Sequence, residues 1–230
     1  MSTFLIHQEQ TYAVLLADSL GTKGMQGTPL PVAAPKLVLV APCVYAVHAG
    51  TWQPALEMLS RLRELLLASA PEALSWQLLQ EKLKGIGCAV YEHYQGVFGL
   101  ESFDVRVALL LTGTLRHHED QAAGRSSTLV VWEAARGFEP TRTVEYLHFG
   151  GSKPLSDLAT TILTQDFVRG MLKQSPLACA QALVATHAAL AKLSTNISPE
   201  ANVVVCGTGA EHTVIHGTLL ELPQTALIRG

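Results

Sequence analysis

The sequence predicts an α+β fold in which β-sheets stack on each other and helices cover them from outside. Two observations lead to this prediction. Candidate strands occur in pairs, and each group of pairs is followed by two candidate helices before a last pair of strands. No linker, low-complexity tract or internal repeat interrupts the sequence, so we expect one domain over residues 1–230.

Two apolar strand pairs are predicted in the first fifty residues. The first pair spans residues 3–6 and 11–17, around a short polar turn, and the second spans residues 37–40 and 44–47. Both pairs are apolar at nearly every position rather than at alternate positions. This pattern predicts strands that are buried on both faces.

The clearest helix spans residues 52–68, where an apolar stripe lies opposite a charged one. The apolar stripe consists of Ala55, Leu59, Leu62 and Leu66. Thr51 fits the amino-terminal cap of this helix. A capping-box pattern at residues 69–72 predicts a second helix over about 71–84, which Gly85 and Gly87 are expected to end or bend.

The second half of the chain repeats the same order of elements. We predict strands at 104–112, 128–133, 141–148, 203–206 and 213–216, and helices at 155–172 and 177–193. Residues 116–127 are polar and predict a loop. The helix at 177–193 is apolar almost all the way round, so it must be covered by the sheet and by a neighbouring helix or another subunit.

Composition and charge limit the classes of function. Hydrophobic residues make up 48% of the chain and charged residues only 15%, which predicts apolar surface that subunit interfaces would bury. A net charge of −3 and the lack of Lys/Arg runs argue against nucleic-acid binding. No stretch resembles a signal peptide or a membrane span, so we expect a cytoplasmic protein without membrane contact.

The cysteines and the polar clusters do not favour a bound metal or cofactor. No C-x-x-C spacing occurs, so we expect buried free thiols at Cys43, Cys88, Cys179 and Cys206. The run from His117 to Asp120 contains metal-ligand types, but a solvated loop is favoured because adjacent residues seldom face one ion. Gly207 and Gly209 follow a strand, yet no helix follows them, so a tight turn is favoured over a nucleotide site.

The parts of a hydrolytic site occur near the amino terminus. Removal of the initiator Met would leave Ser2 with a free α-amine, which could accept the proton of the residue's own hydroxyl. Asp18 lies in a turn of small residues, Lys36 opens a candidate strand, and Gly50 comes just before the first long helix. Together they supply a nucleophile with its base, a carboxylate, an ammonium and a glycine amide.

The order and spacing of these residues resemble the β-type catalytic subunits of proteasomes and their bacterial relatives, within the amino-terminal-nucleophile hydrolases. The separations of sixteen residues from Ser2 to Asp18 and fourteen from Lys36 to Gly50 match that family. The connection from Asp18 to Lys36 is about two residues longer, which a surface loop tolerates. The resemblance is best over residues 2–68 and continues more weakly to about residue 216.

This resemblance implies a four-layer α-β-β-α sandwich and a threonine/serine-type peptidase without a cofactor. Ser2 would be the nucleophile and its α-amine the base. Lys36 would lower the pKa of that amine, and Asp18 would hold Lys36 in place. The backbone N–H of Gly50 would face the oxyanion that develops on the substrate.

Further positions follow from the same resemblance. The family often has a Ser in a glycine-rich turn before its third helix, for which Ser152 is the candidate, shifted by about one place. It also often has Asp and then Ser ahead of a late strand, where Ser198 fits but Thr195 replaces the Asp. Val47 and His48 would line the specificity pocket.

The implied partners are peptides or unfolded proteins as substrates and further copies of the chain in a ring or helical homo-oligomer. An unfoldase is a further implied partner, and any ATP use would come from it, since the sequence has no phosphate-binding loop. Two alternatives stay open. The protein could be a catalytically silent structural subunit of such an assembly, or an amidase of the same type that acts on small amides.

Overall fold

The computed structural model describes residues 3–19, 22–23, 28–29, 36–69, 76–143, 147–149, 153–195 and 197–222. The strands are β1 (Phe4–Gln8), β2 (Ala13–Asp18), β3 (Thr22–Lys23), β4 (Thr28–Pro29), β5 (Leu37–Ala41), β6 (Val44–Gly50), β7 (Val105–Leu111), β8 (Thr128–Glu133), β9 (Thr141–Thr143), β10 (Leu147–Phe149), β11 (Ala201–Cys206), β12 (His212–His216) and β13 (Leu220–Glu221). The helices are α1 (Trp52–Ala68), α2 (Trp76–Phe98), α3 (His118–Ala122), α4 (Lys153–Leu163), α5 (Asp166–Gln174) and α6 (Pro176–Ala191).

Two large sheets form the centre of this α+β fold, as predicted. The first sheet has the strand order β10-β1-β2-β11-β12, and all its neighbours are antiparallel. The second has the order β13-β5-β6-β7-β8-β9 and is antiparallel except where β13 runs parallel to β5. The short strands β3 and β4 pair with each other.

Side chains alternate between two environments along each central strand. On the second sheet, Val44 and Ala46 pack with α1 and α2, whereas Tyr45 and Val47 point the other way. The first sheet packs one face on α5 and α6, and its other face contributes Phe4 and further residues to the cluster around Tyr45. This packing is compatible with the predicted sandwich, and burial of β1, β2, β5 and β6 on both faces is confirmed.

Helix α1 occupies the predicted residues and buries three of the four residues of the predicted stripe, while Leu66 is partly buried. Ala55, Leu59 and Leu62 are buried against the second sheet. Thr51 is at the amino-terminal cap, but its side chain makes no capping hydrogen bond. Packing of the apolar stripe therefore stabilises this helix more than the cap does.

The predicted end of the second helix near residue 84 is wrong, because α2 continues to Phe98. Gly87 does not break it. A Cβ at Gly87 would lie 2.5 Å from the ring of Phe138, so this glycine lets the helix approach an aromatic side chain. Leu83 and Val90 are buried on either side of it, and their packing outweighs the low helix propensity of glycine. The predicted capping box falls mostly on residues 70–75, which lie outside the described residues.

The predicted loop at 116–127 contains helix α3, so that prediction is wrong in part. The ring of His117 accepts a hydrogen bond from the amide of Glu119 at 3.3 Å and caps the helix. Asp120 is buried, and its carboxylate accepts hydrogen bonds from Arg125 and from the hydroxyl of Thr128, each at 2.6 Å. These contacts order a segment that the sequence pattern assigned to solvent.

The predicted strand at 141–148 and the predicted helix at 155–172 are each two elements. Strand β9 joins the second sheet and β10 joins the first, so the chain crosses between sheets there. The helix is interrupted at Thr164, where the hydroxyl donates back to the carbonyl oxygen of Thr160 at 2.8 Å. Helix α6 is confirmed and begins with the hydroxyl of Ser175 accepting from the amide of Ala178 at 3.1 Å.

Membrane insertion of a helix finds no support within the described ranges. None of the helices there combines the length and the apolar character that crossing a bilayer requires.

Candidate active site

A buried ion pair joins the two sheets at one end. Asp18 is the last residue of β2 in the first sheet, and Lys36 immediately precedes β5 in the second. The Nζ atom of Lys36 donates to Oδ1 of Asp18 at 2.6 Å, and these residues are only 4% and 0% exposed. The peptide N–H of Thr3 donates to the same carboxylate oxygen at 3.1 Å. Asp18 is therefore bonded to the residue that directly follows Ser2 in the sequence.

The hairpin of β1 and β2 explains how Thr3 meets Asp18. Phe4 pairs with Ala17, so Thr3 lies opposite Asp18, and the amide of Asp18 donates to the carbonyl oxygen of Thr3 at 3.0 Å. Leu37 belongs to the same buried cluster as Phe4 and Ala17. The stacking of the sheets thus carries the side chain of Lys36 to the end of this hairpin.

Burial and the carboxylate of Asp18 shift the pKa of Lys36 in opposite directions. Loss of solvent lowers the pKa of its ammonium, while the charge and the hydrogen bond of Asp18 raise it. The ammonium is thus compensated by one carboxylate in an interior that favours the neutral amine. Such an environment suits a lysine that influences the protonation of a nearby group.

Gly50 ends β6 at the same end of the second sheet. The amide of His48 donates to the carbonyl oxygen of Lys36 at 3.1 Å, which aligns this part of β6 with the start of β5. Gly50 has φ +82°, and a Cβ there would lie 2.2 Å from the carbonyl oxygen of Asp104. Glycine is thus required by the local backbone, independently of any role for its amide.

The loop before β11 places Ser198 next to Ser19, the residue that follows Asp18. Ala201 pairs with Asp18, and the Oγ atom of Ser19 lies 3.3 Å from the Oγ of Ser198. The hydroxyl of Ser198 also accepts a hydrogen bond from the amide of Glu200 at 3.0 Å. Sequence reasoning named Ser198 but not Ser19, although Ser19 directly follows Asp18.

Helix α6 contributes a histidine that sequence reasoning treated as an ordinary core or surface residue. Nε2 of His187 donates to the carbonyl oxygen of Ser198 at 2.8 Å, and the residue is 1% exposed. Burial lowers the pKa of this imidazole. One feature of the sequence could have identified His187. A His within a helix that lacks charged residues must find a hydrogen-bond partner once that helix is buried.

Comparison with known proteins agrees with the fold. No family model matches the sequence, and no curated protein matches it. Among solved structures, the chain is similar to the Anbu (Gly-1) mutant from Hyphomicrobium sp. strain MC1, with a TM-score of 0.63 and 11% sequence identity. The similarity covers 95% of this chain and 89% of that one. The chain has a proteasome-like fold.

Anbu is a bacterial proteasome-like protein with the amino-terminal-nucleophile hydrolase fold, so the similarity agrees with the type of fold predicted from the sequence. At 11% identity the similarity to Anbu carries no information on catalytic residues.

Two of the predicted site residues, Ser2 and Ser152, lie outside the described residues. Of the other four, Asp18 and Lys36 are in contact with each other. Ser198 contacts Ser19, which follows Asp18, and Gly50 lies near Lys36 along the paired strands. The side chains predicted to line a specificity pocket, Val47 and His48, are 0% and 1% exposed and present no surface to a substrate. Within the described ranges, no group of three or more His, Cys, Asp or Glu residues could hold a metal ion.

Proposed function

We propose that the protein is a peptidase subunit of the amino-terminal-nucleophile hydrolase type, with Ser2 as nucleophile after removal of Met1. One observation carries the proposal. The buried Asp18–Lys36 pair also binds the peptide N–H of Thr3, so a charged pair is attached to the residue next to the nucleophile. The two sheets with their helices would form a single four-layer α-β-β-α domain over residues 1–230.

The first half-reaction acylates the enzyme. The Ser2 hydroxyl attacks the peptide carbonyl carbon, and the α-amine of Ser2 takes the hydroxyl proton directly or through a water. The negative charge that develops on the carbonyl oxygen is stabilised by the backbone N–H of Gly50, and one such donor contributes about 3 kcal/mol. The C–N bond then breaks, and the protonated α-amine returns the proton to the leaving amine. An ester between Ser2 and the acyl part of the substrate remains.

The second half-reaction releases the acyl group. The α-amine removes a proton from a water molecule, which attacks the ester carbonyl. The C–O bond to Ser2 breaks, the carboxylic acid product leaves, and the proton returns to the Ser2 oxygen. No redox change or cofactor is needed, because both steps are acyl transfers.

Lys36 and Asp18 prepare the base for both steps. The positive charge of Lys36 lowers the pKa of the α-amine, so that more of it is unprotonated and able to accept a proton near neutral pH. Asp18 keeps Lys36 in position and compensates its charge. Ser198, and Ser152 in its glycine-rich stretch of sequence, would assist around the amino terminus.

The substrates we propose are peptides or unfolded proteins, degraded within a ring or helical homo-oligomer in the cytoplasm. Exposed apolar side chains on α5 and α6, namely Phe167, Leu177 and Val184, support self-assembly, because a contact between subunits would remove them from water. An unfoldase that delivers substrate would be a separate protein.

Three measurements on the purified protein test the proposal. Intact-mass spectrometry should show that Met1 is removed, since a blocked Ser2 has no free α-amine. A β-lactone or boronate probe should label Ser2, and peptide hydrolysis should disappear in Ser2→Ala but persist in Ser2→Thr, which keeps the hydroxyl. Complete retention of Met1, or hydrolysis that survives Ser2→Ala, would contradict the mechanism.

A catalytically silent structural subunit is the second candidate. The observation that favours it is the near-complete burial of Asp18 and Lys36, because a buried ion pair can also fix the register between two packed sheets. The labelling experiment separates the two candidates. A silent subunit would assemble normally but would not react with the probe.

A further inference from the structure

His187 connects helix α6 to the candidate site. The helix runs from Pro176 to Ala191 without a charged residue, and most of its buried residues are apolar. The hydroxyl of Thr186 bonds within the helix, to the carbonyl oxygen of Ala182 at 2.9 Å. By contrast, the side chain of His187 bonds to a residue outside the helix, because its Nε2 donates to the carbonyl oxygen of Ser198 at 2.8 Å.

The loop that His187 contacts is bonded in turn to the strand that carries Asp18. Ser19 Oγ lies 3.3 Å from Ser198 Oγ, and the amide of Ser19 donates to the carbonyl oxygen of Glu200 at 3.3 Å. One residue earlier, Asp18 pairs with Ala201 and accepts the hydrogen bond of Lys36. A short series of hydrogen bonds thus leads from α6 to the ion pair.

We propose that His187 is a positioning residue for the peptidase site, which holds Ser198 against Ser19 and thereby fixes the end of β2 at Asp18. This inference rests on the proposed function. In this role His187 touches neither the substrate nor the reacting atoms. It acts through the carbonyl oxygen of Ser198.

The protonation state of His187 matters for this role. The neutral ring with its proton on Nε2 makes the observed bond, while its Nδ1 is buried and has no hydrogen-bond partner among the described residues. A second proton would place another cation in a region that already contains the ammonium of Lys36, whose only carboxylate partner among the described residues is Asp18.

The groups around His187 act on its pKa in both directions. Burial lowers it most, the backbone hydrogen bond with Ser198 and the charge of Asp18 raise it, the charge of Lys36 lowers it, and a backbone hydrogen bond with Glu200 raises it. The net effect is a pKa below the ordinary value of 6.5. The ring is therefore neutral at neutral pH, and acid is expected to disturb the site when the ring gains its second proton.

Two substitutions separate the hydrogen bond from the titration. His187→Leu removes the donor, and we expect kcat for a peptide substrate to fall by about tenfold or more with little change in KM, because the carbonyl of Ser198 loses its partner. His187→Gln keeps an N–H donor without a titrating group. We expect it to retain kcat within about twofold at neutral pH. Below pH 6.5, where the α-amine of Ser2 also gains a proton, we expect its activity to fall less steeply than that of the wild type, because the ring no longer titrates.

His7→Gln is the matched control. His7 is also a buried histidine with a pKa lowered by burial, but it lies at the far end of β1 and pairs with Glu9. This variant should keep the acid limb of the wild-type pH profile. Circular dichroism and thermal melting of each variant at neutral pH should show a folded protein.

The outcomes distinguish the inference from the function on which it rests. A wild-type protein that neither hydrolyses peptides nor labels at Ser2 would overturn both. An active wild type whose kcat and acid limb are unchanged in His187→Leu and His187→Gln would overturn only the positioning role. Both variants could instead lose activity and folding to the same extent, without rescue by Gln. His187 would then only stabilise the hydrophobic core, and this result would also overturn the proposal.

Discussion

The carboxylate of Asp18 and the ammonium of Lys36 lie 2.6 Å apart in the interior, with side-chain exposures of 0% and 5%. The two residues belong to different sheets, so their pairing depends on how the sheets stack. Each charge has lost its water and depends on the other for compensation. Removal of either partner therefore leaves an uncompensated charge in a buried place.

Lys36→Ala should destabilise the protein by about 3–5 kcal/mol, because it leaves the carboxylate of Asp18 buried without a cation. The same variant should lose nearly all peptidase activity. Asp18→Asn leaves the ammonium of Lys36 without a carboxylate, but it should cost less stability, because burial favours the neutral amine and the amide oxygen can still accept its hydrogen bond. It should still lower activity, because Lys36 loses the charge that holds it in place. Urea denaturation at neutral pH measures the free energies of unfolding, and a peptide assay measures the activities.

An exposed ion pair provides the control. Lys84 and Glu139 lie 2.6 Å apart with side chains 55% and 58% exposed, so Lys84→Ala should change the free energy of unfolding far less than Lys36→Ala does. If Lys84→Ala and Lys36→Ala had equal effects, burial would not be the reason for the stability of the inner pair.

Gly50→Ala should destabilise the fold whether or not the protein is an enzyme. The added Cβ would lie 2.2 Å from the carbonyl oxygen of Asp104, and the residue would keep a positive φ of +82°. We expect a cost of about 2 kcal/mol or more from strain and displacement of this backbone. The melting temperature should fall accordingly.

Gly96→Ala is the comparison for Gly50→Ala. Gly96 lies within α2, and a Cβ there would meet nothing within 4 Å. Because alanine favours the helix over glycine by up to about 1 kcal/mol, this change should raise the melting temperature. A Gly50→Ala protein as stable as Gly96→Ala would show that the backbone at residue 50 relaxes freely.

The strand pairs and α1 could be predicted because their signals are local. Hydrophobic periodicity and composition within a few residues decide whether a strand or an amphipathic helix forms. The length of α2 could not be predicted in the same way. Gly87 reads as a helix breaker in the sequence, and only its contact with Phe138, far along the chain, shows why glycine is accommodated there.

The candidate site likewise has one part that could be predicted from the sequence and one part that could not. Asp18 and Lys36 could be named from their order and spacing, which resemble those of a known family. The contacts of Ser198 with Ser19 and of Ser198 with His187 depend on the register of β2 with β11 and on the placement of α6. Such long-range pairings leave no periodic pattern in a single sequence.

Acid should weaken the fold through its buried histidines. Burial lowers the pKa of His7 and of His187 below the ordinary 6.5, so the unfolded chain binds protons at a pH where the folded chain does not. Their contribution to stability is fully present above about pH 6.5 and is lost as the pH falls towards the lowered folded-state values. Each group can contribute up to about 1.4 kcal/mol per pH unit in that window.

Urea denaturation at neutral pH and at a pH about one and a half units lower measures this loss. His187→Gln and His7→Gln should each lose less stability on acidification than the wild type, because one titrating ring is gone. A loss that is the same in all three proteins would assign the acid sensitivity to other groups.

The four cysteines should divide into two classes of reactivity. Burial raises the pKa of Cys179 to about 12 and also raises that of Cys206, so neither forms a reactive thiolate near neutral pH. Cys43 and Cys88 are partly exposed. A thiol reagent such as dithionitrobenzoate should therefore modify Cys43 and Cys88 in the folded protein and all four in urea. Rapid modification of Cys179 before unfolding would contradict the burial of α6.

Self-assembly should depend on the outer surface of α5 and α6. Phe167 at the start of α5 is 78% exposed, and Leu177 near the start of α6 is 55% exposed. Together with a hydrophobic content of 48%, this surface predicts a large homo-oligomer, in which burial of each side chain would contribute about 1.5–3 kcal/mol. Light scattering on the native protein should give a mass that is a multiple of 24.7 kDa.

Charged substitutions show which apolar surface is used. Phe167→Glu and Leu177→Glu should lower the mass observed by light scattering, because a carboxylate in the contact would have to lose its water without a partner. Val97→Glu is the control, since Val97 is 59% exposed on α2, away from α5 and α6. If Val97→Glu alone dissociated the assembly, the contact would lie on α2. A stable 24.7 kDa species for the unmodified chain at micromolar concentration would contradict self-assembly itself, and with it the compartment in which the proposed peptidase would work.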